Sequence, residues 1–277
     1  WSAAQRANVE AARNAGVNLA FFSGNEVFWK TRWEPSIDGS NTPHRTLVSY
    51  KETKADAKID PSPEWTGTWR DPRFSPPADG GRPENALTGT IFMVNCCQDD
   101  ALSVSAEEGR LWFWRNTTLS TLSNGQVASI PGVLGYEWDE DIDNGARPAG
   151  LIRLSSTTVN VGSRLQDFGS NYAPGTATHS LTLYRHASGA IVFGAGTVQW
   201  PFSLDADHDD PLGTTAAPDA RIQQATVNLL ADMGMQPGTL QAGLVAAVAS
   251  TDVTPPGSTI TAPAAAGNVQ SGIAVTI

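Results

Sequence analysis

The sequence predicts an α/β domain that is organised around a parallel β-sheet, is truncated on its N-terminal side and carries a β-rich insertion. Three observations lead to this fold class. A helix-like segment at residues 2–15 runs through a glycine into the apolar segment 17–22. A second apolar segment, residues 190–196, ends in glycines, and a helix-like segment at 218–235 follows it after a loop. Apolar strands that alternate with helices are typical of a parallel sheet with both faces covered.

The first helix is predicted from its ends and its polarity. Ser2 is a favourable N-cap residue, Gly16 ends the segment, and small apolar residues alternate with polar ones in between. A helix that leads through glycine into a buried strand is half of a βαβ unit, and the strand that should come before it is missing. The chain opens at Trp1 without a start methionine or a leader-like segment. We therefore expect the chain to begin inside a domain, with any targeting segment outside it.

A polar turn follows the first predicted strand. Residues 23–25, Ser-Gly-Asn, interrupt the apolar run, because glycine tolerates unusual backbone angles and asparagine caps the element that follows. Open α/β sheets bind their ligands at the carboxyl ends of parallel strands. We therefore expect Asn25 and Glu26 at the mouth of a cleft, with Glu26 contacting substrate. The alternative is a structural turn with a capping asparagine and a salt-bridged glutamate.

Residues 33–90 are predicted to be irregular apart from one strand at residues 47–50. Lys51 follows that strand, and its ammonium group either supports a neighbouring carboxylate, orients a carbonyl group or lies on the surface. The segment beyond it is dense in proline, glycine, tryptophan and arginine, which argues against a helix. We expect an ordered excursion over the cleft, in which Trp65 and Trp69 either form substrate-binding walls or cover the edge of the sheet.

Short β-like segments separated by turn residues fill residues 88–200. With the excursion before them, they predict a β-rich insertion over about residues 60–188. The apolar segment 190–196 is then predicted to be a buried parallel strand, and with the loop and helix that follow it completes the sheet that begins at residue 17.

The densest acidic segment is residues 137–145, EWDEDIDNG, and it allows three interpretations. Carboxylates at alternate positions resemble a calcium loop, although the glycine and the final glutamate of a hand-type loop are displaced. A solvated loop with Arg147 and Arg153 nearby is the structural alternative. The third interpretation makes Glu137 a site residue, because a carboxylate that follows a predicted buried strand is a candidate general base.

Composition excludes some functions. The formal net charge is −10 and the pI about 4.8, which disfavours nucleic acid and anionic membrane surfaces as partners. No apolar stretch of about 18 residues is present, so no membrane-spanning segment is predicted. Adjacent cysteines do not easily form a relaxed disulfide, so Cys96 and Cys97 are expected to be free thiols. Residues 249–277, rich in threonine, proline, alanine and glycine, are predicted to be a linker that leads into another module.

Several long motifs resemble one known family. They are WSAAQRANVEAARNAGVNLAFFSGNEVFWK, LVSYKE, DPSPEWTGTWRDPRFSPP, NALTGT, LGYEWDED and GAGTVQW. Over about residues 1–248, the chain resembles the C-terminal domain of the large (beta) subunit of N,N-dimethylformamidase. It is especially similar to large secreted bacterial proteins in which this domain accompanies immunoglobulin-like modules. The resemblance implies that residues 249–277 lead into such a module and that the protein is secreted or at the cell surface.

The resemblance also implies a fold and a chemistry. The expected fold is glutamine-amidotransferase-like, that is, a flavodoxin-like parallel sheet with a β-rich insertion. The expected activity is hydrolysis of an amide C–N bond by water that a single iron activates, with two tyrosines and a glutamate as iron ligands. Only the end of the motif that contains this glutamate is present, as Trp1 and Ser2, so the ligands are expected upstream. Asn25, Lys51 and Glu137 match the polar residues near the metal-bound water.

Two hypotheses follow. In the first, the chain is the C-terminal part of an amidohydrolase-like domain, and it is inactive and metal-free without the upstream half of that domain. Its substrate is a small amide, and Glu137, Asn25 and Lys51 are the catalytic residues. In the second, the chain is a non-catalytic extracellular surface module, in which Trp65 and Trp69 bind a polysaccharide or a protein.

Overall fold

The computed structural model describes residues 1–73, 80–209 and 213–251. The helices in chain order are α1 (Ala3–Asn14), α2 (Glu52–Ala55), α3 (Asn85–Thr88), α4 (Ala106–Gly109) and α5 (Ala220–Asp232). The strands in chain order are β1 (Leu19–Phe21), β2 (Arg32–Glu34), β3 (Thr46–Val48), β4 (Ile91–Ser105), β5 (Val127–Glu140), β6 (Ile152–Arg153), β7 (Thr157–Leu165), β8 (Tyr172–His179), β9 (Thr182–Arg185) and β10 (Ile191–Gly194).

The strands form three sheets, of which the first is mixed and has the order β1-β10-β9-β6. β1 runs parallel to β10, with Leu19 opposite Val192 and Phe21 opposite Gly194. All four residues of β10 are buried, whereas the first two residues of β1 are only partly buried. The predicted return of residues 190–196 to the sheet that begins at residue 17 is therefore confirmed, and the structure shows that the two strands pair directly.

The predicted glutamine-amidotransferase-like, flavodoxin-like parallel sheet is wrong. In the described part of the chain, β1 with β10 is the one parallel pair of strands, and β10 with β9 and β9 with β6 are antiparallel. The reason is the connection between β9 and β10, a tight turn closed by the hydrogen bond from His186 N to Ala190 O at 2.8 Å. A tight turn reverses the chain, whereas parallel neighbours need a long crossover.

The second sheet is antiparallel, has the order β5-β4-β7-β8 and lies within the predicted β-rich region. Its end is fastened to the mixed sheet. Trp138 of β5 forms a bridge with Thr197, and Asp139 N donates to Gly196 O at 2.8 Å. The ends of β1, β5 and β10 consequently lie close together. The third sheet is the two-stranded antiparallel ribbon of β2 and β3.

Both predicted long helices are confirmed. α1 begins with a capping box, in which the Ser2 side chain accepts from Gln5 N and the Gln5 side chain accepts from Ser2 N. α5 begins at its N-cap Asp219 and packs Ile222 and Leu229 into the core with no exposed surface. The spacing of apolar residues in both segments was sufficient to place these helices.

Tryptophan supplies much of the core. Five tryptophan side chains have no exposed surface, namely Trp65, Trp69, Trp114, Trp138 and Trp200. Trp200 packs edge-on against Phe193 of β10, and Phe193 stacks on Phe113, so the two larger sheets share one apolar cluster. Large aromatic side chains bury more apolar area than any others, and the core depends on them.

Cys96 and Cys97 are not the free thiols that their adjacency predicts. The structure joins them in a disulfide within β4, across a cis peptide bond. The expectation rested on the geometry of regular backbone, and β4 is irregular here, since its register with β5 shifts between Val94 and Gln98. Both cysteines are exposed.

The predicted linker, residues 249–277, lies almost entirely outside the described residues. Within residues 1–73, 80–209 and 213–251, no helix has both the length and the apolar character that a membrane crossing requires.

Removal of one partner from a buried ion pair should strongly destabilise the chain. The Arg70 guanidinium donates to the Glu84 carboxylate, and both side chains are buried. We expect Glu84→Gln to lower the free energy of unfolding by about 3 kcal/mol, because it leaves a buried charge without a counterion. Urea unfolding followed by tryptophan fluorescence measures this change.

The matched control is Arg153→Gln, which removes an exposed partner from Asp141 while Arg147 stays paired with that carboxylate. Its expected effect is below about 1 kcal/mol. Equal effects of the two variants would contradict the prediction.

Candidate active site

A cavity of about 260 Å³ lies between the turn after β1, helix α2 and strands β4, β5 and β8. Its walls are aromatic and polar and consist of Asn25, Phe28, Trp29, Lys51, Lys54, Phe92, Asn95, Glu137 and Tyr172. The structure thus brings Asn25, Lys51 and Glu137 together, although they are far apart in the sequence. Another cavity of about 300 Å³, near Trp112 and Ile152, is mostly apolar and contains none of the candidate residues.

The turn after β1 has a left-handed backbone conformation at Asn25 and a strained one at Val27. Asn25 has a φ of 57° and Val27 a φ of 58°, both in the left-handed region. Asparagine tolerates this region, but a β-branched residue such as valine rarely adopts it. Val27 keeps this conformation with a side chain that is only 1% exposed, so its packing holds the turn in place. Backbone strain of this kind often marks a functional site.

Gly24 is required because the turn lies directly on β5. A Cβ atom at position 24 would lie 3.1 Å from the carbonyl oxygen of Glu137 and 3.1 Å from the backbone of Thr197. These contacts are tight and involve backbone atoms, which have little freedom to move away. The absence of a side chain at this position therefore lets Asn25 approach the end of β5.

Asn25 makes hydrogen bonds to two carboxylates of β5. Its Nδ2 donates to Glu137 Oε2 at 2.7 Å, and its backbone N–H donates to Asp139 Oδ1 at 2.9 Å. Glu137 and Asp139 are two residues apart on a strand, so both side chains lie on the same side. Glu137 is half-buried and lines the cavity, which leaves its carboxylate accessible to a small molecule.

Asp139 anchors this arrangement, and the sequence-based reasoning missed it. Its side chain is 2% exposed, and its second oxygen, Oδ2, accepts from Thr90 Oγ1 at 2.8 Å. Burial raises the pKa of Asp139 to about 6, even though hydrogen bonds from Asn25 and Thr90 favour the ionised form. The alternation of carboxylates at positions 137 and 139 was a sequence indication, but none of the three interpretations of this segment, a calcium loop, a solvated loop or a site residue at Glu137, gave Asp139 a role.

Lys51 and Lys54 reach the cavity from the single turn of α2. Lys51 precedes the helix with a left-handed φ of 51°, and its Nζ lies 5.2 Å from the centroid of the Trp29 ring. Lys54 Nζ lies 5.3 Å from the centroid of the Tyr172 ring. Both ammonium groups therefore lie over aromatic walls of the cavity. Lys54 was not among the residues selected from the sequence.

Glu26 is not among the residues that line the cavity. Burial, together with the negative charge of Asp139, raises the pKa of Glu26 to about 9, so its carboxyl group is protonated at neutral pH. The expected contact between Glu26 and a substrate stays a prediction, and the adjacent Asn25 is the residue of this turn that lines the cavity.

Trp65 and Trp69 do not form the predicted substrate-binding surface. Both indole rings are fully buried, with their centroids 6.5 Å apart, and the Lys30 ammonium lies 5.4 Å from the Trp65 ring. A polysaccharide stacks on exposed ring faces, and these rings expose none. The sequence could not separate core tryptophans from surface ones, because the excursion has no regular periodicity.

The acidic segment is held by arginines. Asp141 makes ion pairs with Arg147 and Arg153, each at 2.7 Å, and its side chain is 1% exposed. The arginine neighbours were predicted, but the Asp141 carboxylate is buried rather than solvated. Across the described ranges, no group of three His, Cys, Asp or Glu side chains is arranged to hold a metal ion. The calcium interpretation therefore has no support from the described residues.

A family model described as "N,N-dimethylformamidase beta subunit-like, C-terminal" matches residues 1–211. This match covers most of the chain, and the chain belongs to this family. The matched region contains every residue that lines the cavity. A comparison with curated proteins found no match.

The iron that the family resemblance implies does not fit the described residues alone. The resemblance calls for two tyrosines and a glutamate, whereas the cavity wall has one tyrosine, Tyr172, and one glutamate, Glu137. Asn25 Oδ1 is buried without a hydrogen-bond donor, which adds one further oxygen atom. A transition metal normally needs a fuller set of protein ligands. The described residues therefore do not form an iron site by themselves.

The small number of possible iron ligands in the cavity predicts a low iron content. We expect the 277-residue chain, purified and exposed to excess iron, to retain well below one iron atom per chain, because its cavity offers too few ligands. Inductively coupled plasma mass spectrometry after gel filtration measures the ratio. Stoichiometric, tightly held iron would show that the described residues suffice.

The buried carboxyl of Asp139 gives a pH-dependent prediction. Its pKa is about 6 in the folded chain and 3.8 ordinarily, so the folded state holds this proton more tightly than the unfolded chain does. The stability attributable to Asp139 therefore falls as the pH rises from about 4 to about 6, by up to about 3 kcal/mol. Asp139→Asn, which keeps the shape of the side chain, removes this dependence.

Urea unfolding of both proteins at several pH values tests the prediction. Relative to the wild type, the Asp139→Asn variant should gain stability as the pH rises through this window. Asp143→Asn, at an exposed position, is the control and should show no such trend. A constant difference between wild type and Asp139→Asn would show that Asp139 ionises normally.

Proposed function

We propose that this chain contributes the water-activating and carbonyl-binding residues of an enzyme that hydrolyses the C–N bond of a small amide. The observation that carries the proposal is the hydrogen bond from Asn25 Nδ2 to Glu137 Oε2, at 2.7 Å, in a cavity that Lys51 also lines. A carboxylate, an amide and an ammonium group around one small cavity are what such hydrolysis requires. Membership of the dimethylformamidase-like family supports the same reaction class.

Each residue has a role that follows from its chemistry. Glu137 removes a proton from a water molecule, whose oxygen attacks the carbonyl carbon of the amide. The Lys51 ammonium group stabilises the negative charge that develops on the carbonyl oxygen. The C–N bond then breaks, and Glu137 returns its proton to the leaving nitrogen. The products are a carboxylic acid and an amine.

Asn25 orients the general base. One N–H of its side-chain amide holds Glu137 Oε2, and the other is free to donate to the water or to the carbonyl oxygen. Its backbone N–H is fixed on Asp139, so the amide group has a defined position before any substrate binds. Such preorganisation lowers the activation barrier, because little rearrangement is needed during the reaction.

The proposal also covers the remaining residues of the site and the kind of protein that contains it. Following the family resemblance, the remaining groups of the site, including iron ligands, belong to a segment of the same domain upstream of Trp1, and the isolated chain is inactive. The composition of residues 249–277 is the support for a secreted, multidomain protein. The second hypothesis, a polysaccharide-binding module, loses its main argument because Trp65 and Trp69 are buried.

Substitution of the general base tests the proposal. In the protein at its natural full length, we expect Glu137→Gln to lower kcat for hydrolysis of formamide or acetamide by about 100-fold or more, with little change in KM, because glutamine cannot accept the proton. Release of ammonia measures the rate. The control is Glu107→Gln, an exposed glutamate of α4 outside the cavity, which should keep the wild-type rate.

Two outcomes would contradict the proposal. One is a wild-type protein that hydrolyses no small amide with its metal supplied, and the other is a Glu137→Gln variant that turns over at the wild-type rate.

A further inference from the structure

The cavity has an excess of positive charge. Its charged side chains are the ammonium groups of Lys51 and Lys54 and the carboxylate of Glu137. The formal charges of these three side chains sum to +1. The chain as a whole carries −10, so the cavity differs in sign from the rest of the molecule. A site with this charge attracts anions rather than neutral molecules.

Neither ammonium group in the cavity is neutralised by the described residues. The other two lysines of the chain have carboxylate partners: Lys30 pairs with Glu64 at 2.9 Å, and Lys58 pairs with Glu52 at 2.8 Å. Lys51 and Lys54 have no carboxylate within 4.0 Å in the described ranges. Besides its aromatic contact, Lys54 donates only to the carbonyl oxygen of Ser170, at 3.2 Å.

The backbone that carries both lysines is fixed. Lys51 precedes α2 in a left-handed conformation and Lys54 lies within the helix, and both side chains line the cavity. The buried Glu52 accepts from Thr66 N at 2.9 Å, and Thr53 Oγ1 donates to Asp71 Oδ2 at 2.8 Å. The turn is therefore anchored by buried side chains, and the two exposed lysines extend from a fixed backbone.

The aromatic walls limit the size and polarity of what enters. Trp29 and Tyr172 lie under the two ammonium groups, and Phe28 and Phe92 complete the apolar part of the wall. With about 260 Å³, the cavity accepts a small molecule with a short apolar portion. Lys51 has a role at the carbonyl oxygen in the proposed reaction. Lys54 is then the ammonium group left for another part of the substrate.

We propose that Lys54 selects an amide substrate that carries a carboxylate close to the scissile bond, as in an N-acyl amino acid. This inference rests on the proposed function. A contact between the Lys54 ammonium group and a substrate carboxylate is a charge-assisted hydrogen bond. It gives Lys54, which has no role in the proposed reaction, an anionic partner. For N-formylglycine, the oxygen of water would add to the formyl carbon, the C–N bond would break, and the nitrogen would take up both protons of that water, which gives formate and zwitterionic glycine.

The test compares N-formylglycine with N-formylglycinamide, which has the same shape and no charge. Binding to the protein at its natural full length is measured by isothermal titration calorimetry. We expect the acid to bind about tenfold more tightly than the amide, the scale of one charge-assisted hydrogen bond. Lys54→Met should abolish this difference by weakening the acid alone, and Lys54→Arg should keep most of it.

Arg45→Met is the matched control, because it removes one exposed positive charge outside the cavity and should leave the preference unchanged. Equal binding of the two compounds, binding of neither, or an equal loss of both in Lys54→Met would overturn the inference. Hydrolysis of both compounds is measured separately. An acid preference in binding without any hydrolysis would reject the proposed function alone, and hydrolysis without an acid preference would reject this inference alone.

Discussion

The hydrogen bond from the backbone N–H of Asn25 to the buried carboxylate of Asp139 is the contact on which the site depends. It fixes the turn after β1 on the end of β5, so it joins the two larger sheets at the point where the cavity lies. Burying a carboxyl group is unfavourable unless hydrogen bonds compensate for the lost water. Asn25 and Thr90 provide two such bonds, and the raised pKa of Asp139 reflects the part of the penalty that they do not offset.

The same contact explains how strained backbone persists near the cavity. Left-handed conformations at Asn25, Val27 and Lys51 each carry an energetic penalty of about 1–3 kcal/mol unless the residue tolerates them. Asn25 is held by Asp139, Val27 by the core, and Lys51 by the buried neighbours of α2. The polar groups of the cavity therefore sit on backbone that tertiary contacts determine, rather than on freely moving loops.

The sequence predicted that Asn25, Lys51 and Glu137 would lie around one cavity, but it did not predict the fold. Asn25, Lys51 and Glu137 each stand at or just beyond a β-like apolar run, and strand ends tend to meet at one edge of a sheet. Hydropathy does not encode strand direction, so the apolar residues of 182–185 could not show that this strand pairs antiparallel with β10. Burial was equally hidden for Trp65 and Trp69, which lie in an irregular segment, and for Asp139, whose charge suggested a surface position. The boundaries of helices α1 and α5 were predictable because caps and periodicity act locally.

The parallel pairing of β1 with β10 has a consequence for how the molecule assembles. Asn18 Oδ1 accepts from Ile191 N, 173 residues away in the sequence, and the partners Asn25 and Glu137 are 112 residues apart. Contacts of such separation form slowly, because a long loop must close before they are gained. The antiparallel sheet of β4, β5, β7 and β8 can form during synthesis from neighbouring segments. The residues that line the cavity extend from Asn25 to Tyr172, and the turn that carries Asn25 follows the strand that pairs with β10. Formation of the cavity therefore reports that segments far apart in the sequence have met.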